Sequence, residues 1–219
     1  MFSKNHHSHL WSILILALIA FAYLITLAQP AILPSSSPVY RAGEGVGLEC
    51  VVRWEAQSLQ RLLELAEQEK TPITFFVPLQ YVWDNPQMLK EMSQKGCEAG
   101  LLVCSQDRKN ILSELEEGAA AFSACGIPLR FVMAEKDENA ALVESAVSQE
   151  ELCTVISSFD LLNRSSDGSK LVQRIEKKTF DGAIIRFEPT KTIVGSFSQI
   201  LEALRAGGFV PQTLSALLG

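Results

Sequence analysis

The chain has 219 residues, a net charge of −6 and 47% hydrophobic content, which suits one domain of ordinary size with a real core. The acidic balance and the lack of a dense Lys/Arg cluster argue against a nucleic-acid surface and disfavour a bound polyanion. His6, His7 and His9 are the only histidines and all lie in a polar leader, 1–9, so residues 46–219 have no imidazole for proton transfer or metal ligation.

Leu10 to Ala28 runs without a charge. As a helix it reaches about 28 Å, enough for the hydrocarbon core of a bilayer. The expectation is one uncleaved transmembrane helix over 10–28, with the bilayer as a partner. A cleaved signal peptide is the rival, because Thr26-Leu27-Ala28 could precede a cleavage point, but such peptides usually have only about 7–15 apolar residues. Lys4 precedes the run while Arg41 and Glu44 follow it, which points to a single-pass protein whose domain lies outside the cytoplasm. Residues 29–45 carry Pro30, Pro34, Pro38, Gly43 and Gly45 with a serine triplet and read as an extended tether.

From Gly47 onward, short β-rich runs alternate with amphipathic helices. Gly47–Arg53 reads as a buried strand and Ala56–Glu69 as a helix with Leu59, Leu62, Leu63 and Ala66 on one face. Strand then follows over Ile73–Val77, helix over Pro86–Lys95, strand and turn over Gly96–Cys104, and helix over Asn110–Cys125. The pattern continues with strand Leu129–Met133, helix Asn139–Val147, strand Cys153–Phe159, helix Leu171–Lys177, strand Gly182–Phe187 and helix Phe197–Ala206. This alternation predicts an α/β fold with a mostly parallel sheet; periodicity alone does not separate an open sheet from a barrel. There is no P-loop or dinucleotide fingerprint. Cysteines 50, 97, 104, 125 and 153 are odd in number and lack zinc-knuckle spacing, so they read chiefly as small buried residues.

Several segments, in order, resemble the polysaccharide deacetylase (NodB-homology) family. Ile73-Thr74-Phe75-Phe76-Val77-Pro78 is similar to its ATFFV strand, and Asn85-Pro86-Gln87-Met88-Leu89-Lys90-Glu91-Met92 to its NPELVKEI-like helix. Gly96 to Gln106 follows the frame of GHEIGNHTxSH, Gly182 to Glu188 that of GSIILLH, and Thr213 to Leu218 the ending TLSELL. The resemblance covers about residues 46–219. It implies a distorted (β/α) barrel and removal of acyl groups from cell-surface glycans. It also implies an aspartate base, a metal held by one aspartate and two histidines, and a histidine acid, which together activate water and manage protons.

The residues that this chain places at those positions depart from the pattern. The frame sets Val51 at the base and Val52 at the metal-binding aspartate. Leu102 and Gln106 stand at the two histidine ligands, and Glu188 at the catalytic histidine. No aspartate occurs between Arg41 and Asp84, so the loss of the acidic pair does not depend on the alignment. Arg130 matches the arginine of the RPPYG motif without its prolines and tyrosine. The expectation is therefore a domain with no cofactor, no catalytic metal and no competent deacetylase site.

Other chemistry has bland rivals. Glu49, Glu98, Asp160 and Glu188 near strand ends could serve a relocated two-acid site, but pairing suffices to explain them, with Arg186 or Lys191 as partners for Glu188. Cys104 could be a nucleophile only if its thiolate were favoured. Trp54, Phe76, Tyr81 and Trp83 could line a sugar-stacking cleft or simply fill the core. Trp54, Trp83, Arg130 and Glu188 are the expected ligand groove. The leading expectation is a membrane-anchored noncatalytic deacetylase-like domain that binds an envelope glycan or an envelope protein. A divergent hydrolase of envelope polysaccharide and a decayed copy without function are the alternatives.

Overall fold

The structure is a computed structural model that describes residues 43–53, 56–147, 152–161 and 167–218. Strand β1 (Val46–Val51) is followed by α1 (Ala56–Gln68), β2 (Thr74–Pro78), a short α2 (Leu79–Asp84), α3 (Pro86–Gln94) and β3 (Glu98–Val103). Then come α4 (Arg108–Ala124), β4 (Phe131–Ala134), a 3-10 turn at Asp137–Asn139, α5 (Ala140–Val147), β5 (Cys153–Thr154) and β6 (Phe159–Asp160). The chain continues through α6 (Gly168–Lys178), β7 (Ala183–Phe187), α7 (Lys191–Ala206), β8 (Pro211–Gln212) and α8 (Leu214–Leu218). The strands pair in parallel in the order β5-β4-β3-β2-β1-β7-β6, with β8 beside the start of β1.

Local chemistry sets these boundaries. Asp107, Asp167 and Thr190 cap α4, α6 and α7 by accepting the backbone N–H of Asn110, Ser169 and Ile193. Pro86 opens α3, where its missing donor costs nothing. Gly96 and Gly126, both at φ +74°, stop α3 and α4 in the left-handed conformation that a side chain resists.

The run read as one strand, Cys153–Phe159, is divided. Its first part pairs with β4: Cys153 N–H donates to Arg130 O at 2.8 Å and Val155 N–H to Val132 O at 2.9 Å. Three residues later it pairs with β7, Ser158 N–H donating to Ile184 O and Leu161 N–H to Arg186 O, both at 2.7 Å. One segment thus touches both edges of the sheet and curls it into a distorted parallel barrel. The short α2 and the start of α7 at Lys191 escaped the sequence reading, because six residues carry too little periodicity and α7 opens with polar Lys191 and Thr192.

Two apolar layers result from strand alternation. Leu48, Cys50, Phe75, Val77, Leu101, Val103 and Val132 face the helices, against Leu59, Leu62, Leu63, Phe122, Phe197 and Leu201. Val51, Phe76, Leu102, Phe131, Met133, Cys153, Val155 and Ile184 form the inner cluster, joined by Leu214 and Leu217 of α8 at the amino end.

The expectation of a transmembrane helix ahead of this barrel is corrected. Among the described residues no helix is long and apolar enough to cross a membrane. The run Leu10–Ala28, and with it the leader and most of the tether, lies outside the described residues. Membrane anchoring, the bilayer as a partner and a single-pass location are therefore withdrawn from the account that follows.

Gly100 of β3 is packed so tightly that an added Cβ would meet the Phe76 ring at 2.7 Å and Phe131 O at 2.8 Å. The carbonyl belongs to backbone and cannot swing aside. Gly100→Ala is expected to destabilise the domain by about 1–3 kcal/mol, the usual cost of overpacking. Urea unfolding checks this; an unchanged midpoint would show that the inner layer is looser than described.

Candidate functional site

The loops that follow the strands of a parallel barrel gather at one end, where ligand sites are built. Val51 and Val52 lie at this end of β1, and Leu102 near the end of β3. All three are buried: Val51 and Leu102 belong to the inner cluster and Val52 is wholly enclosed. A groove of about 570 Å³ opens over them. Its apolar lining is Val52, Pro78, Leu79 and Leu102, its aromatic lining Tyr81 and Trp83, and its polar lining includes Arg53, Asp84, Cys104, Glu114 and Glu135. Trp83 is 51% exposed, unusual for so large an apolar ring, and α2 carries both aromatics to the groove.

Arg53 spans the mouth. Its Nε donates to Glu188 Oε1 at 2.8 Å and its Nη1 to Glu135 Oε1 at 2.5 Å, joining the residues that follow β1, β7 and β4. Glu188 was expected beside Arg186 or Lys191; Arg186 is instead committed elsewhere. Its Nε and Nη2 donate to both carboxylate oxygens of Asp160 at 2.5 and 2.9 Å. Its Nη1 and Nη2 donate to both oxygens of Asp137 at 2.7 and 3.0 Å. Such doubled forks fix geometry as well as charge. The hydrogen bonds hold the Asp137 carboxyl below its usual range. Burial alone would lower the Arg186 value, but its bonds to the two aspartates raise it overall.

Glu114 reaches from α4 to accept the backbone N–H groups of Cys104 and Ser105, both at 2.9 Å, and so pins the turn after β3. Gln106, just beyond, is exposed and is not among the residues that line the groove. Cys104 lines the groove, but burial, with Glu114 and Glu135 nearby, pushes its thiol up to about 12. It is thus a poor nucleophile at neutral pH.

The sequence-derived candidates separate in space. Val52, Leu102 and Trp83 line the groove, with Val51 beneath and Glu188 held by Arg53. Trp54 lies outside the described residues. Arg130 sits just before β4, at the opposite, amino end of the barrel. It is exposed there and within 3.5 Å of Ser215 Oγ, in a separate pocket that Glu98 also lines. Glu98 accepts from Thr74 Oγ1 and Ser215 N–H, a structural bridge at that same end. Arg53, Glu114, Glu135 and Asp137 were missed. Their partners are 9 to 135 residues away in sequence, and the two longer arginine links leave no local pattern.

The metal implied by the sequence resemblance does not fit these residues. Val52 and Leu102 present buried carbon where ligands belong, and Gln106 faces solvent. Among the described residues no group of three His, Cys, Asp or Glu side chains is placed to hold a metal ion.

The chain matches no protein-family profile and no curated protein. Solved structures do resemble it. A CE4-family pseudoenzyme from Bacillus anthracis is 20% identical over 84% of this chain and 70% of its own, with a TM-score of 0.73. A mutant of the same protein, described as having restored enzymatic activity, gives 0.76 at 20% identity over 84% of this chain and 72% of its own. A family 4 carbohydrate esterase from Streptomyces lividans, solved with acetate, is 18% identical over 79% of this chain and 94% of its own, with a TM-score of 0.69. At these identities the likeness establishes the fold: this is a barrel of the family 4 carbohydrate esterase type.

Glu49, in the middle of β1, is wholly buried with neither carboxylate oxygen hydrogen-bonded. Burial raises its carboxyl from 4.5 to about 8; Arg186 opposes that rise and Asp160 adds to it. The folded protein therefore holds this proton after the unfolded chain has released it. The stability associated with Glu49 is complete below about pH 4.5 and is lost as pH rises through about 8. Relative to wild type, Glu49→Gln is expected to gain up to roughly 1.4 kcal/mol per pH unit across that window. Urea unfolding at pH 5, 6.5 and 8 measures it, and a pH-independent difference would contradict the assignment.

Proposed function

We propose that this domain is a noncatalytic relative of the family 4 carbohydrate esterases whose groove binds a cell-envelope glycan. The observation that carries the reading is the composition of the groove. Apolar Val52 and Leu102 occupy the positions where the resemblance implies metal ligands, while Tyr81 and exposed Trp83 flank a cavity of sugar-binding size. Asn85, Gln80 and Asp84 add amide and carboxylate groups that suit sugar hydroxyls.

The acids near the mouth support the same reading. Glu135 and Glu188 are tied to Arg53, and Asp137 and Asp160 to Arg186. A general base needs a lone pair free to take a proton, and an ion-paired carboxylate held in a fork gives that up. A solved protein of the same fold described as a pseudoenzyme shows that the scaffold stands without activity there.

The test uses the full chain with chitooligosaccharides and acetylated cell-wall fragments, with divalent metals supplied. Saturable binding is expected, followed by tryptophan fluorescence and calorimetry, with no acetate released. Trp83→Ala is expected to weaken binding about tenfold or more, since stacked aromatics carry much of such an interface. Acetate release that co-purifies with the protein would overturn the noncatalytic assignment. Failure of every glycan to bind would overturn the glycan.

A further inference from the structure

We infer that the groove selects glycans whose amino groups are free and protonated over their N-acetylated forms. This rests on the glycan reading above and deepens it. Among the described residues, the groove is lined by the carboxylates of Asp84, Glu114 and Glu135 and by one cation, Arg53. That cation is already shared between Glu135 and Glu188, so it offers little to an anionic ligand. Next to the groove, past Leu79, Cys104 and Glu114, a second depression of about 430 Å³ is lined also by Glu117 and, among the described residues, by no basic one. A third, of about 400 Å³, shares Trp83 with the groove and Glu117 with the second. The three depressions share residues with one another and form one track around α2 and α4, whose acids line the first two while the third is apolar apart from Glu117.

The chemistry of the track fits one kind of occupant. A chain of hexosamine rings offers apolar faces to Trp83 and Leu79. Each free amine adds a positive charge and three donors that carboxylates accept. An acetamido group carries no charge, and the carboxylates, which only accept, offer its carbonyl nothing. A polyanionic glycan would be repelled by the same track. The aromatic ring and the acids are both needed: the ring favours a sugar over a simple amine, and the acids favour the amine over the amide.

The full chain is titrated at pH 6 with a glucosamine oligomer and with the N-acetylglucosamine oligomer of equal length, and binding is read by calorimetry. The free-amine oligomer is expected to bind roughly fivefold tighter, the scale that two solvent-screened ion pairs supply. Added salt and alkaline pH are expected to erase that preference while binding of the N-acetylated oligomer persists. Glu117→Gln, at an exposed position outside the lining of the main groove, is expected to reduce the preference and leave the N-acetylated oligomer unaffected. Equal or tighter binding of the N-acetylated oligomer would overturn the inference and leave the glycan reading standing. Binding of spermidine as tight as that of the amino-sugar oligomer would overturn it as well, since charge alone would then suffice. Binding of neither oligomer would remove the glycan reading and this inference together.

Discussion

The mouth of this barrel depends on Arg186. The sheet has a seam where the chain leaves β4 and joins β7 within three residues, and backbone pairing there is reduced to a few hydrogen bonds. Arg186 projects from β7 and forks onto Asp160 of β6 on one side and Asp137, beyond β4, on the other. Side-chain hydrogen bonds thus span a gap that the ladder does not. A guanidinium so enclosed tolerates burial only while both partners stay ionised, because an unpaired charge there would cost several kcal/mol. The same charge lies close to Glu49, which is left protonated and without a partner deep in the barrel.

That constraint has a functional consequence. Arg53 repeats the device one layer out, joining the ends of β1, β4 and β7 through Glu135 and Glu188. Between them the two arginines hold four carboxylates at the carboxyl ends of the strands, the place where a parallel barrel usually keeps its catalytic groups. The acids there serve as ties across the mouth. What remains accessible is the apolar and aromatic groove beside them, with Glu114 and Glu117 on its outer side toward α4. In the proposed reading, that groove holds a ligand without transforming it.

Much of the fold was legible because helix and strand periods are local. The shared face of Leu59, Leu62 and Leu63 and the ordered family-like segments predict the alternation that the structure contains. The division of Cys153–Phe159 was hidden, since a continuous β-rich run looks the same whether it has one partner or two. At the site, the loss of histidine and of the aspartate pair was plain from residue identity alone, and the placement of Val52, Leu102 and Trp83 follows strand order. The arginine ties were not readable, because Arg53 and Glu188 meet across 135 residues. Arg130 shows the opposite failure. A motif fragment suggested the groove, yet the residue precedes its strand and so stands at the far end. The apolar leader strongly suggested an anchor, but hydropathy is a property of the segment alone and positions nothing in the barrel.

The central claim is that the acids at the mouth are structural partners of arginine. A double-mutant cycle of Arg186→Gln and Asp160→Asn, followed by urea unfolding of the full chain, tests it most directly. The account predicts that each single change destabilises and that the pair couples by about 2 kcal/mol. Arg186→Gln strips both aspartates of their cation, and Asp160→Asn leaves the buried guanidinium with Asp137 as its sole carboxylate partner among the described residues. Additive effects with coupling near zero would contradict it, for Asp160 would then be free for other work and the mouth would be held by something else.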